Sequence, residues 1–438
     1  MMKKAIAAVF VALAISFMSS PVNAGPTLTL DDCIAVALKQ SPVIKGEKER
    51  LRQAEEDYRM ARAGLFPNVS ASAYINRLNS NRLGPTSGST PVQLYEREDF
   101  AELQAKQLLF DGGKTISAYR STRKGVEASK LNLTALQDTT VFLITQAFFQ
   151  VMEARELVRV AEETVKRQED FEHLTATFFK AGKVTKLDLL KAQSQRMQAE
   201  KDLTSAQGVL RLAEVLLRQN MGIDARDELE LRGDLPAAVN EPPAKDKAFK
   251  EASEKNPDIK RLNTLIAKTE EDLKAAKGGY FPEFALQGGY GYRDRDIGGG
   301  ADEWTAGVFA NWSVFDSGFT RAAVAKANAR MQEAKESLKD AEIRLQADIE
   351  DSLVTWKTAL ADFQAASRLV DADQESLKTA QALYKAGKAL VLDVLTAQTD
   401  LANSEDAKVK ALTSYATARA NLERLTGKIQ STKTETQW

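Results

Sequence analysis

The chain has little of what most chemistry needs. Among 438 residues there is one cysteine and one histidine, so no internal disulfide can form and little is left for a histidine-based metal site. With a single histidine, no Ser/His/Asp arrangement is available either. Only 11 prolines interrupt the chain. No apolar run reaches the ~20 residues that a membrane-spanning helix requires. Charge of one sign is missing too, with 60 basic side chains against 61 acidic ones. Nucleic acid binding needs lysines and arginines clustered against phosphates, and this balance gives no such case. The chain is not read as an enzyme, and no cofactor, metal or nucleic acid is expected.

What is present starts with Lys3 and Lys4, an apolar run from Ala5 to Ile15, and the small-residue end Val22-Asn23-Ala24. This reads as a secretory signal peptide over 1–24, cut after Ala24. If the remainder crosses a membrane, it must do so as strands.

The chain then repeats itself. Ser41-Pro42 matches Asn256-Pro257, and Gly64-Leu65-Phe66-Pro67 matches Gly279-Tyr280-Phe281-Pro282, both at an offset of 215. From Leu109-Phe110-Asp111-Gly112-Gly113 against Val314-Phe315-Asp316-Ser317-Gly318 the offset is 205. It stays there for Lys180-Ala181-Gly182-Lys183 against Lys385-Ala386-Gly387-Lys388, and for Gly222 against Gly427. The length change falls between Pro67 and Asp111, which marks an exposed loop.

Each copy has one order of parts bounded by helix breakers. The first, 25–222, is expected to hold a helix from Leu30 to Gly64 capped by Asp31 or Asp32, a β-hairpin over 68–110, a long helix over 113–180 and a helix over 184–222. The second, 246–427, repeats this as a helix over 246–278, a hairpin over 283–315 and helices over 319–385 and 389–427. Residues 223–245 are a proline-rich linker with one short strand over 228–231, and 428–438 a polar tail. A helix over 113–180 is ~100 Å long at 1.5 Å per residue, more than a compact domain holds. Apolar residues such as Val141, Ile144, Phe148 and Val151 recur along it at helical spacing, as in an antiparallel coiled coil.

The hairpins alternate with period two. Val69, Ala71, Ala73 and Ile75 share one face, as do Ala101, Leu103 and Ala105 against Glu102, Gln104 and Lys106. In the last segment Trp304, Ala306, Val308, Ala310, Trp312 and Val314 share the face expected to meet lipid. The two tryptophans are ~26 Å apart along a strand, which suits opposite edges of a bilayer's apolar layer. An ordinary half-buried soluble sheet would show the same alternation. In lipid, four strands cannot close a sheet: two chains would supply eight and three would supply twelve. Glu102 and Lys106 facing a wet lumen call for the larger bore.

Over essentially its whole length past the signal peptide the chain resembles TolC-type channels of the outer-membrane efflux protein family. The resemblance is carried by the Leu28-Thr-Leu-Asp-Asp start with Ala37-Leu38, the Ser41-Pro42 and Asn256-Pro257 pairs, the Phe-Pro strand starts and the Phe-Asp-x-Gly strand exits. The helix tips from Gly182 to Asp188 and from Gly387 to Asp393 complete it. It implies an α+β fold in which long coiled-coil hairpins build an α-helical barrel continuous with a trimeric 12-stranded β-barrel. It also implies a homotrimer in the outer membrane, working with a periplasmic adaptor and an inner-membrane pump as a passive exit duct for small molecules or proteins.

By the same resemblance the tips, Gly182, Lys183 and Val184 with Gly387, Lys388 and Ala389, contact the adaptor, while glycine also serves as helix cap. Asp393 stands where family members place a lumen-facing carboxylate, with Asp188 its counterpart in the first copy. Three such anions near an axis would repel or bind cations. Thr396 and Ala389 replace a second aspartate and an arginine of the TolC lock, so a single Asp393 ring is the expected lumen gate.

Other signals carry less. Gly113-Lys114-Thr115 lacks the glycine that opens a phosphate loop. His173 reads as solvent-facing, Cys33 as a small packed hydrophobe, and Gly84 to Pro91 and Gly298 to Gly300 as extracellular loops. The competing reading is a soluble periplasmic coiled-coil scaffold or adaptor, which usually carries one helical hairpin and β-rich modules rather than two hairpins and four long strands.

Overall fold

The computed structural model describes residues 28–77, 97–224, 230–236, 239–295 and 299–429. The expected signal peptide, the Gly84 to Pro91 loop, Gly298, and tail residues 430–438 lie outside the described residues.

The elements run α1 (Leu30–Gln40), α2 (Pro42–Ala63), β1 (Asn68–Arg77), β2 (Arg97–Phe110), α3 (Lys114–Lys180) and α4 (Lys186–Met221). The second half gives α5 (Lys245–Lys255), α6 (Pro257–Gly278), β3 (Glu283–Arg295), β4 (Ala301–Asn311), α7 (Phe319–Lys385) and α8 (Val391–Leu425). Both long helices have 67 residues, which makes each ~100 Å long. The length difference between copies falls between the paired strands, at positions 78–96 in the first copy and 296–300 in the second.

The expected single helices 30–64 and 246–278 are each broken. Proline has no N–H and its ring clashes with the preceding turn, so Pro42 and Pro257 start new helices with Ser41 and Asn256 at the joints. The first helix is capped by Thr29 rather than by Asp31 or Asp32. Asp32 is the reciprocal partner, its carboxylate accepting from the Thr29 N–H at 2.9 Å and hydroxyl at 2.6 Å. The expected linker strand is a single parallel bridge between Leu28 and Leu231, with 225–229 outside the described residues.

The Phe-Asp-x-Gly motifs prove to start the long helices. The Asp111 carboxylate accepts from the Thr115 N–H at 2.7 Å, and that of Asp316 from the Thr320 N–H at 2.8 Å. The Thr320 side chain and N–H hold the Asp316 carboxyl below its ordinary range.

Helix α3 is the spine. Its first half packs between α2 and α6, through Tyr58 to Tyr119 at 2.8 Å and Ser121 to Asp272 at 2.5 Å. Its second half packs between α4 and α8, through Glu172 to Arg196 at 2.6 Å and Arg167 to Glu405 at 3.1 Å. Helix α7 continues the row beyond α6 and α8. Among the described residues, three apolar clusters hold the helices. One gathers Cys33, Ile34, Ile144, Phe148, Val151, Leu217 and Met221, and another Ile349, Trp356, Tyr415, Leu422 and Leu425. The third, at the far tip, is built around Phe171, Tyr384, Val391 and Val394. Each fully buried large side chain contributes ~1.5–3 kcal/mol.

Candidate functional site

The four strands form one antiparallel meander in the order β1-β2-β3-β4. Its register fixes the faces. Val69, Ala71, Ala73 and Ile75 of β1 lie beside Ala105, Leu103, Ala101 and Asp99 of β2. Leu103 pairs with Tyr290 and Ala105 with Gly288 of β3, and these with Trp304 and Ala306 of β4. Val308 faces Leu286 and Ala310 faces Phe284. Alternation leaves a continuous apolar face. Trp304 is 76% exposed and Val308 62% on the single chain.

Aromatic residues bracket this face. Tyr290, Tyr292 and Trp304 lie toward the loops, and Phe110 and Phe284 toward the helices, with ring centroids 6.2 Å apart. A bulge between Leu108 and Phe110 shifts the register by one and turns Phe110 to the apolar side. Phe284 to Tyr292 spans ~26 Å, the height of a lipid-facing band. The expected hairpin over 283–315 ends at Asn311, so Trp312 and Val314, expected on the face of its last strand, lie beyond it. The Trp312 indole N–H instead donates to the Tyr280 carbonyl at 3.3 Å.

The opposite face is charged. Glu98, 5% exposed, accepts from Arg293 at 2.7 Å and Arg295 at 3.1 Å, and Arg293 also reaches Glu303 at 3.1 Å. Arg293 lies over the Phe100 ring at 4.7 Å. Nearer the helices Lys106 pairs with Glu283 at 3.5 Å, and Glu102 lies against Gly289. Sequence reading found Glu102 and Lys106 on this face. It missed the Glu98 cluster, whose members become neighbours only through the β2–β3 register between the two copies.

At the other end the turns 181–185 and 386–390 close two helical hairpins. Gly182 and Gly387 both adopt φ 71°, a left-handed conformation that a side chain would strain. Gly182, Lys183, Gly387 and Lys388 are exposed, while Val184 and Ala389 pack half-buried on the tip cluster. Leu390, the last residue of the second turn, is 70% exposed. Asp188 and Asp393 hold matching positions as the third residues of α4 and α8. The Asp188 carboxylate accepts from the Thr185 N–H at 3.0 Å, and that of Asp393 from the Leu390 N–H at 2.8 Å. Asp393 and Thr396 lie exposed on one face of α8, one turn apart.

Tyr384 joins the two tips. Its ring meets Phe171 at 5.2 Å and Phe178 at 5.5 Å, and its hydroxyl donates to Thr175 at 3.4 Å. Burial and the nearby Asp188 carboxylate hold the phenol above its ordinary range. His173 is exposed, as expected, and Cys33 is fully buried with its thiol pushed up to about 11 by burial.

The structure also has open edges. Among the described residues, strands β1 and β4 each pair on one side only, and α2 and α4 end the helical row opposite α7. Head-to-tail closure of such a chain makes a ring.

A family model described as "Outer membrane efflux protein" matches residues 33–223 and 248–428. The chain is 23% identical over 411 residues to the outer membrane efflux protein BepC of Brucella suis, covering 92% of this chain and 86% of that one. It is 25% identical over 391 residues to the probable efflux pump outer membrane protein TtgC of Pseudomonas putida, covering 84% and 77%. Among solved structures, the outer-membrane channel OprN superposes with a TM-score of 0.81 at 22% identity, covering 91% of this chain and 89% of that one. The Campylobacter jejuni CmeC outer membrane channel gives 0.80 at 18% identity, covering 93% and 89%.

Proposed function

Because this chain belongs to the outer membrane efflux protein family, we propose that it is the exit duct of a tripartite efflux or type I secretion system, passively conducting small molecules or proteins to the exterior. It is an outer-membrane protein with a periplasmic helical extension. The observation that carries the reading is the two-faced sheet, apolar outside and charged inside, with both edges unpaired.

In lipid every backbone donor and acceptor must be satisfied, so β4 of one copy pairs with β1 of the next until the ring closes. Three copies give twelve strands and a lumen wide enough for the hydrated charges of Glu98, Arg293, Arg295 and Glu303. The helices continue the lumen for ~100 Å to the tips. There Gly182, Lys183, Val184, Gly387, Lys388 and Ala389 meet a periplasmic adaptor joined to an inner-membrane pump. Asp393 of three copies rings the axis as a cation-attracting gate, with Thr396 one turn behind.

The test is extraction and mass. The outer-membrane fraction should release the protein with detergent and not with salt, and light scattering should give a trimer. A soluble monomer or dimer overturns the reading in favour of a periplasmic coiled-coil scaffold.

A further inference from the structure

We infer that the two hairpin tips form a cationic collar and that the periplasmic partner seated there presents carboxylates around apolar anchors. This rests on the reading that the tips dock an adaptor, and specifies its chemistry.

Across residues 178–190 and 383–395 the chain carries Lys180, Lys183, Lys186, Lys385 and Lys388 against Asp188 and Asp393 alone, in a protein whose overall net charge is −1. All five lysines are exposed, and among the described residues none is ion-paired. Both aspartates are engaged by backbone N–H groups of their own helix starts.

Helix dipoles favour four of the lysines and oppose one. Lys180 and Lys385 end α3 and α7, where a cation complements the negative end of the helix dipole. Lys183 and Lys388 follow the cap glycines, their N–H groups donating to the Phe178 and Leu383 carbonyls at 2.9 Å, so they too stand at the closing ends of α3 and α7, whereas Lys186 opens α4 at its positive end. The placement of Lys186 costs local stability, and the turns themselves require only Gly182 and Gly387. Lys183 lies over the Phe178 ring at 5.5 Å, whereas Leu383 occupies that place in the second tip. Between the lysines, Leu187, Leu390 and Leu392 are each more than half exposed. Charge complementarity selects a carboxylate-bearing protein surface, and the leucines supply the apolar contact that a purely electrostatic partner would not need.

The test uses the full-length, detergent-purified protein and fluorescein-labelled poly-L-glutamate, read by anisotropy at 50 and 300 mM salt. The expected result is binding that weakens by about tenfold at the higher salt. A Lys183→Glu/Lys388→Glu variant of unchanged oligomeric mass should lose at least another tenfold. If that variant does not assemble, Lys183→Gln/Lys388→Gln should give a smaller loss in the same direction. Unchanged affinity in the variant overturns the collar. So does binding to phosphatidylglycerol vesicles without binding to the peptide, which would make the tips a lipid contact. The docking reading fails separately, if a photo-cross-linker at Leu390 captures no periplasmic protein in living cells.

Discussion

The Asn256 side chain donates to the Leu425 carbonyl at 3.1 Å while its Oδ1 accepts from the N–H groups of Asp258 and Ile259 at 2.9 and 3.2 Å. One amide thereby caps the start of α6 and satisfies a carbonyl at the end of α8. Ser41, its counterpart in the first copy, makes no side-chain cap bond. There the joint is held by close packing: a Cβ on Gly222 would lie 2.9 Å from Pro42 Cδ.

Asn256→Ala should cost about 2 kcal/mol, since it removes a cap and leaves a buried carbonyl unpaired. Ser41→Ala should stay within about 0.5 kcal/mol. Denaturant midpoints of the two variants, followed by helical circular dichroism, check the difference.

The tandem layout, the 67-residue helices and the strand alternation were legible in the sequence because they depend on spacing alone. The breaks at Ser41 and Asn256 were legible only as prolines, since nothing local says whether Pro kinks a helix or begins one. The Phe-Asp-x-Gly aspartates read as strand exits. Their role at the start of α3 and α7 needed the backbone turn that places Thr115 and Thr320 over them. Asp188 and Asp393 read as gate carboxylates, yet within one chain each holds its own helix start. The Glu98 cluster and the Tyr384 contacts join residues roughly 200 apart in sequence, which no local pattern reports.

Asp393→Asn separates charge from capping. The amide can still accept the Leu390 N–H, so the helix start should persist while cation selectivity in bilayer recordings falls. Asp393→Ala should lower both. Unaltered selectivity in both variants removes the gate role.

Tyr384→Ala should free the α7–α8 tip from α3, costing about 3–5 kcal/mol of local packing and raising single-channel conductance. Tyr384→Phe keeps the ring contacts and loses only a long hydrogen bond, so its conductance should match the parent chain.

Val308→Arg puts a cation on the lipid face and should cost about 2–4 kcal/mol near the bilayer midplane. Thr305→Arg, on the opposite face of the same strand, should assemble normally. Yield of folded protein in the outer-membrane fraction distinguishes them.

The Cys33 thiol, pushed from 9.0 to about 11 by burial, should stay protonated and unlabelled by maleimide at pH 8 until the chain is denatured. Because the unfolded thiol ionises first, this group lowers stability as pH rises from about 9 to about 11.

Planar-bilayer conductance of the detergent-purified protein tests the duct most directly. Discrete, cation-biased steps from a trimer are the expected result. A preparation of correct mass and fold that inserts and passes no current would contradict a continuous lumen from barrel to tip.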